Sequence, residues 1–444
     1  MSILIEKQPL IPICWIITLL LLSCIATRSE IKKTAMSIKI ETLLTTQWGQ
    51  GNRQIPMILV EPIQTSILSP FPIRKIRKAV QVFVTPSGQV SLLSSENQEA
   101  SSVFIDSFSS TGEYINRVSL QLEKTANVSW MIQDFITIQD GSAYTIEFLW
   151  GRESLEQFYR VRYTQVGATQ SKIIYQNSLE KDKEPQLLVD GNLKVYLARA
   201  IEDNLQIKEL NKEKIGGIYA DWGLAGVRMF INEQGVLFQT QMQWQSFPPH
   251  RAWVSYNPAT KETESIRGKD EIYDLLWNAI GADVKGRAYL QNHFSLSQLL
   301  KNGELSWTEE IGNIVTSVAD QKVFISNYVT GKVNLRIFTT EGDYIKSQEI
   351  EIPVSSEDGG AQWNLIHVSK EGNLYIFGGA DSLHQGRLLI FSPEGKLIKT
   401  QSPPPDLLPI QSSLQLTWSV DSQGRIYLPV LEPDGVRVMR MSRE

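Results

Sequence analysis

The stretch SVDSQGRIYLPV (residues 419–430) decides the fold. It reads as an apolar strand, a tight turn ending in glycine, and a second apolar strand carrying an aromatic. HVSKEGNLYIFG (367–378) repeats it one step back. Weaker copies are SVADQKVFIS (317–326), AIGADVKGRAYLQ (279–291), MFINEQGVLFQT (229–240), QLLVDGNLKVYLA (186–198), FITIQDGSAYTIEF (135–148) and VQVFVTPSGQVSLL (80–93). The turns fall at positions 88, 141, 191, 235, 286, 321, 372 and 424, a mean spacing of about 48 residues. A period in the forties, with alternating strands and little helical periodicity, predicts the blades of a β-propeller.

A second pair of strands follows most copies, as in RLLIFSPEGKLIKTQ (387–401), VNLRIFTTEGDYIKSQEIEI (333–352) and SVFIDSFSSTGEYINRVSL (102–120). Each alternates apolar and polar residues, the mark of a half-buried strand, and its Glu-Gly or Thr-Gly supplies the positive φ of a hairpin. Four strands per period make one blade. After the last copy only VRVMRM (436–441) remains, so one strand is missing there. SIKIETLL (37–44) is an unassigned alternating strand, expected to supply it and close the ring, which removes two open edges. The expectation is an all-β propeller of about eight four-stranded blades over 37–444. The short gap between 286 and 321 leaves seven as the alternative. EIYDLLWNAIGA (271–282), the best helical competitor, is expected to be a loop leading into a strand.

The phrase D-x-x-G-x-ϕ-Y, with ϕ apolar, followed by ϕ-F-x-x-x-G, resembles the NHL-type propeller repeat. Asp421, Gly424 and Tyr427 fit its first half, and Ile390, Phe391 and Gly395 its second. The resemblance covers about residues 315–444 and departs at GGADSLHQG and VLEPDGV, where the typical repeat has Asp and Asn-x-Arg. It implies the fold and leaves function open.

Composition narrows the function classes. The 444 residues are 42% hydrophobic and 9% aromatic, with 11 Trp, enough to exclude a disordered chain. There are 43 Lys and Arg against 48 Asp and Glu, a net charge of −5, with no long basic run, so nucleic acid is not an expected partner. The cluster Arg74, Lys75, Arg77 and Lys78 is more readily a solvated strand face than a contact for anionic headgroups. The proline-rich SPPPDLLP (402–409) is expected to be a stiff spacer.

Both cysteines, Cys14 and Cys24, lie in the first 24 residues, so no disulfide or cysteine-based metal site is expected beyond them. The apolar run LIPICWIITLLLLSCIA (10–26) follows a short head with Lys7, the layout of an export signal. Its end, Leu21-Leu22-Ser23-Cys24, resembles a bacterial lipobox. The resemblance implies a signal peptide over 1–23, a diacylglyceryl group on Cys24, a linker over 24–36 and an extracytoplasmic, lipid-anchored domain. Arg28, Lys32 and Lys33 after the run keep open a single-span N-terminal anchor or an ordinary cleaved signal.

Chemistry-bearing motifs are few. The four histidines, His250, His293, His367 and His384, form no metal-ligand spacing. Lactonase and lyase propellers are similar architectures that gather a divalent metal in the channel, and His367 lies on an innermost strand where it could face one. Asp140, Asp190 and Asp421 stand before turn glycines; they read as acceptors for their own turns rather than calcium ligands. No nucleophile elbow or phosphate loop occurs. YNPATKETESI (256–266) lacks the glycine and tryptophan of the quinoprotein docking repeat. No catalytic residue, cofactor or metal is expected. Trp130, Trp277, Trp363 and Trp418 sit at the start of inner strands, and Trp222 further ahead, which fits packing between blades. The link QMQWQSFPPHRAW (241–253) is long and aromatic. Trp244, Phe247, His250, Arg251 and Trp253 are therefore the candidate ligand-binding residues. The function expected is a membrane-anchored module binding a protein, peptide or glycan at the cell envelope. The alternative is a lactonase-like hydrolase or lyase.

Overall fold

The computed structural model describes residues 38–443 apart from 49–53, 56–58, 64–72, 77–80, 96–101, 122–127, 152–156, 169, 180–182, 202–203, 213, 224–228, 244–249, 268–275, 277–278, 293–294, 301, 311, 318–320, 354–362, 379–386, 402–409, 413–417 and 433–434. The described residues form strands and turns, and eight blades of four antiparallel strands account for nearly all of them. The innermost strands of blades 1 to 8 are Gln81–Val84, Val128–Thr137, Lys183–Val189, Met229–Ile231, Ala279–Ala282, Asn313–Ser317, Trp363–Val368 and Ser419–Val420. Seven blades run through four consecutive strands. A further small sheet joins Leu59–Ile63, Ile73–Ile76 and Ile410–Ser412, carrying Arg74 and Lys75 on its middle strand.

Each inner hairpin sits at a predicted turn, and its geometry explains the repeat. The turn closes when the N–H of the fourth residue donates to the carbonyl of the first, as Gly424 does to Asp421 at 3.0 Å. The fourth residue has positive φ: Gly88, Gly141, Gly235, Gly286, Gly372 and Gly424, with Leu193 and Gln321 taking that place in blades 3 and 6. In most blades a side-chain oxygen at the first position caps the turn. Asp421 Oδ1 accepts from the N–H groups of Gln423 and Arg425, both at 3.0 Å, while Oδ2 accepts from Arg425 Nε at 2.6 Å and the Tyr427 hydroxyl at 3.0 Å. Asp283 repeats this with Lys285, Arg287 and Tyr289, and Asp190 with Asn192, Lys194 and Tyr196. Burial and the neighbouring carboxylate raise all three tyrosine hydroxyls above their usual range, so they remain donors. The cap also explains the one shifted turn. Asp190 frames residues 190–193, so Leu193 and not Gly191 is the left-handed residue.

The missing strand of blade 8 is Ile38–Trp48, hydrogen-bonded beside Gly435–Arg443 as the fourth strand and ending four residues later than expected. Ile40 and Leu44 are buried, Leu44 against Val436 and Val438 and the blade 1 residues Val82 and Leu92. Arg440 donates to Glu41 Oε1 at 2.6 Å and to the Ser110 carbonyl of blade 1 at 2.8 Å. The short 286–321 gap reflects compact links in a complete blade 5, whose last strand ends at Glu310 with the next blade opening at Asn313. Seven blades is thereby excluded.

The order of the blades around the centre departs from chain order. Blade 5 lies directly against blade 8. The Val284 N–H donates to the Ser422 carbonyl at 3.0 Å, and a Cβ on Gly281 would meet Val420 Cβ at 2.7 Å. The reason is a knob and a socket. Tyr289 of blade 5 sits on Gly424 of blade 8, and Tyr427 of blade 8 sits on Gly88 of blade 1. Blades 6 and 7 pack on each other instead, through Asn313 Nδ2 donating to the Leu365 carbonyl at 3.0 Å and a shared core of Phe324, Val333, Ile350, Trp363, Leu365 and Phe391. Blade 6 is held to blade 5 by the Arg336–Glu309 ion pair. It is held to blade 8 where the Thr42 N–H donates to the Thr340 carbonyl at 3.0 Å.

Removing residues 38–48 uncovers two buried aliphatic side chains and a strand ladder, a loss of about 5 kcal/mol; calorimetry will show a strongly lowered Tm, and an unchanged Tm would refute the closure. Asp421→Ala leaves Arg425 and the Tyr427 hydroxyl without their acceptor. It is expected to destabilise by roughly 3 kcal/mol, read from urea unfolding, with Asp421→Asn retaining most of the turn.

Candidate functional site

The innermost strands of blades 1–5 and 8 surround a central cavity of about 130 Å³. It is lined by Phe83, Leu188, Met229, Phe230, Ile280 and Val420, with Asp134, Gln186, Asn232, Ser419 and Ser422 as its polar side chains. Blades 6 and 7 supply none of the described lining.

The polar groups follow from strand geometry. An innermost strand is an edge, so half of its N–H and C=O groups face the centre without a ladder partner. Asp134 Oδ2 accepts from the Leu187 N–H of the next blade at 2.8 Å, and Gln186 Oε1 accepts from the Met229 N–H of the blade after that at 3.0 Å. Both acceptors stand seven residues before the left-handed turn residue of their blade, one position repeated. Asn232 Oδ1 caps its own turn, accepting from Gln234 and Val236. Ser422 Oγ donates to the Pro86 carbonyl at 2.7 Å and touches the Glu233 carboxylate. Ser422 thus ties the turn of blade 8 to those of blades 1 and 4 and crosses one end of the cavity. The remaining space holds roughly four waters, below the usual size of a ligand pocket. Among the described residues no three His, Cys, Asp or Glu side chains come together as a metal site.

The sequence candidates are distributed differently from the expected aromatic loop. His250 and Arg251 open the strand His250–Asn257, and their side chains lie outside the described residues. Trp244 and Phe247 also lie outside them. Trp253 is 1% exposed, stacked on Phe238 with centroids 5.7 Å apart and an interplanar angle of 16°, and 6.0 Å from Phe230. It belongs to a core shared by blades 4 and 5 with Leu276, Ala279 and Leu290. Ala252 and Val254 are buried as well, because a middle strand of a blade is covered on both faces by its neighbours.

Trp363 is fully buried between blades 6 and 7, with the Arg387 guanidinium 5.5 Å from its ring, as expected of a packing residue. Trp418 is half-buried before Ser419; the side chains of Trp130, Trp222 and Trp277 lie outside the described residues. His367 meets Tyr375 edge-on at 5.2 Å in blade 7 and is not among the cavity residues. Asp140 accepts from the Ser142 N–H at 2.9 Å and pairs with Lys212, so it too serves its turn. Cys24 lies outside the described residues.

Sequence reasoning missed the outer surface. Seven large apolar side chains are exposed among the described residues. Val329, Tyr344, Ile345, Leu397 and Ile398 are on blades 6 and 7; only Ile115 and Ile173 are elsewhere. Tyr344 and Ile398 are 56% and 57% exposed. The signal was present as two related stretches, YIKSQ (344–348) and LIKTQ (397–401), in which two adjacent apolar residues break the alternation.

No protein-family profile matches the chain, and no curated protein does. Among solved structures, the chain is similar to the WD40 domain of SCAP from fission yeast (12% identity, 91% of this chain and 98% of that one, TM-score 0.34). It is also similar to YCF48 bound to D1 peptide (8% identity, 76% and 96%, TM-score 0.32). A third similarity is to prolyl endopeptidases, at 12% identity and TM-score 0.36. The chain covers 83% of its own length there but only 55% of theirs, and 60% of a puromycin hydrolase. Likenesses this distant transfer no site and no activity.

Trp253→Ala is expected to destabilise by about 3–5 kcal/mol, measured by chemical denaturation. A variant of unchanged stability would put that side chain outside the core.

Proposed function

We propose that this chain is a membrane-tethered, extracytoplasmic β-propeller that binds a protein, peptide or glycan partner at the cell envelope. The observation that carries the binding reading is the concentration of exposed apolar side chains on the outer strands of blades 6 and 7. Exposed apolar groups gathered in one region are a mark of an interaction surface, whereas Asp134, Gln186, Asn232 and Ser422 in the central cavity are engaged in contacts between and within blades. The lactonase-like alternative has no constellation of side chains behind it among the described residues.

The tether reading rests on the apolar run and the Leu-Leu-Ser-Cys sequence ending at Cys24. Fourteen residues lie between Cys24 and Ile38, counting one end. Fully extended they reach at most about 50 Å, which would keep the propeller close to the bilayer.

Two measurements test the reading. Cys24→Ala is expected to abolish lipid labelling and release the protein from the membrane fraction; retention without the label would replace the lipid with a single-span anchor. Native mass spectrometry of the membrane-extracted protein is expected to show a bound polypeptide or glycan. A stoichiometric divalent metal in its place would favour the hydrolase.

A further inference from the structure

We infer that the partner is a protein presenting an extended segment in which two adjacent apolar residues are flanked by carboxylates, and that this segment adds as a fifth strand to the outer edge of blade 7, Leu397–Gln401. The inference rests on the binding reading above and specifies the partner's chemistry.

Three observations converge on that edge. Leu397–Gln401 is the last strand of its sheet, its ladder to Arg387–Phe391 slips by one residue at Ile398, and it has no second ladder among the described residues, which leaves the outward N–H and C=O groups of Lys399–Gln401 to another strand. Leu397 and Ile398 are exposed, and the hairpin leading into them rests on the outer strand of blade 6. There, Gln348 Nε2 donates to the Pro393 carbonyl at 3.0 Å, and a Cβ on Gly395 would lie 3.6 Å from Ile350 Cγ1. The apolar side chains of Leu397 and Ile398 are thus carried by a hairpin seated on the strand that exposes Tyr344 and Ile345. Finally, Lys396 and Lys399 bracket Leu397 and Ile398, both exposed and without an ion pair among the described residues. The carboxylate of the same hairpin, Glu394, accepts from Ser392 Oγ at 2.7 Å.

Charge decides between occupants. A second copy pairing antiparallel over 397–401 would set Lys399 opposite Lys399, and like charges directly opposed are unfavourable. A strand reading carboxylate–apolar–apolar–carboxylate sets its charges opposite Lys396 and Lys399 and its apolar residues opposite Leu397 and Ile398.

The test uses the full chain and a fluorescent nine-residue peptide centred on Glu-Val-Val-Glu, read by anisotropy, with two control peptides. One has lysine for glutamate and the other has N-methylated valines, which cannot complete a strand ladder. The acidic peptide is expected to bind at least tenfold more tightly than either control. Ile398→Arg is expected to weaken it at least tenfold without changing Tm, since the side chain is exposed. Lys396→Glu combined with Lys399→Glu is expected to invert the preference toward the basic peptide. Ile115→Arg and Ile173→Arg, on the outer strands of blades 1 and 2, are expected to leave binding unchanged.

Equal binding of the acidic and N-methylated peptides, or of the acidic and basic ones, overturns the inference. So does loss of binding through Ile115→Arg rather than Ile398→Arg. If the Ile398→Arg protein still carries its native partner in mass spectrometry, the docking edge is wrong while the binding reading stands; absence of any partner from the unaltered protein counts against the reading itself.

Discussion

A turn of four residues, capped by a side-chain oxygen at its first position and closed by a left-handed residue at its fourth, is the constraint on which the other parts rest. It sets the register of the inner hairpins of blades 3, 4, 5 and 8, where the cap accepts from the N–H groups two and four residues beyond it. It also fixes the contact between blades. In blade 8 the same Asp421 that holds the turn orients Tyr427, and Tyr427 fits against Gly88. A side chain at Gly88 would be blocked twice over, by φ of 87° and by Tyr427 and Arg425 each 2.8 Å from its Cβ. Local turn chemistry and long-range packing therefore depend on the same few atoms.

Much of this was legible in the sequence, because the cap, the glycine and the tyrosine recur in one frame. All eight inner hairpins, the four-strand blade and the closing strand could be read from period and alternation alone. The order of blades could not. Alternation says which face of a strand is apolar and does not say which other blade covers it. The seat of Tyr289 on Gly424 is a matter of shape between residues 135 positions apart. Trp253 illustrates the same limit. An aromatic close to Arg251, after the prolines at 248 and 249, looks like a loop platform, yet it lies within a strand buried on both faces. The outer strands failed in the opposite sense. Ile345 and Ile398 stand in stretches read as half-buried strands, although each follows another apolar residue, and among the described residues these outermost strands have no ladder on their far side.

The arrangement separates two surfaces with different chemistry. At the centre, side-chain oxygens such as those of Asp134 and Gln186 complete the unpaired edges of adjoining blades, and Ser422 bridges the turns. At the rim of blades 6 and 7 the outer strands have no second ladder among the described residues, and exposed apolar side chains stand beside charges of both signs, among them Lys346, Glu349 and Lys399. Polar side chains at the axis thus have structural partners, while the exposed apolar side chains gather outward on blades 6 and 7.

The closing strand has a consequence for the order of events during synthesis. Glu41 and Arg440 are 399 positions apart, so the first of the described strands pairs with the last. Until the final segment emerges, Ile38–Trp48 is an unpaired alternating strand, the kind of edge that templates aggregation. Bringing its ends together across nearly the whole chain carries a loop-closure entropy on the order of 5 kcal/mol. That entropy is reduced only as the intervening blades condense and shorten the effective loop. Blade 8 is accordingly the last unit able to form, and a chain stopped short of Gly435 would hold its earlier blades beside a terminus with nothing to join.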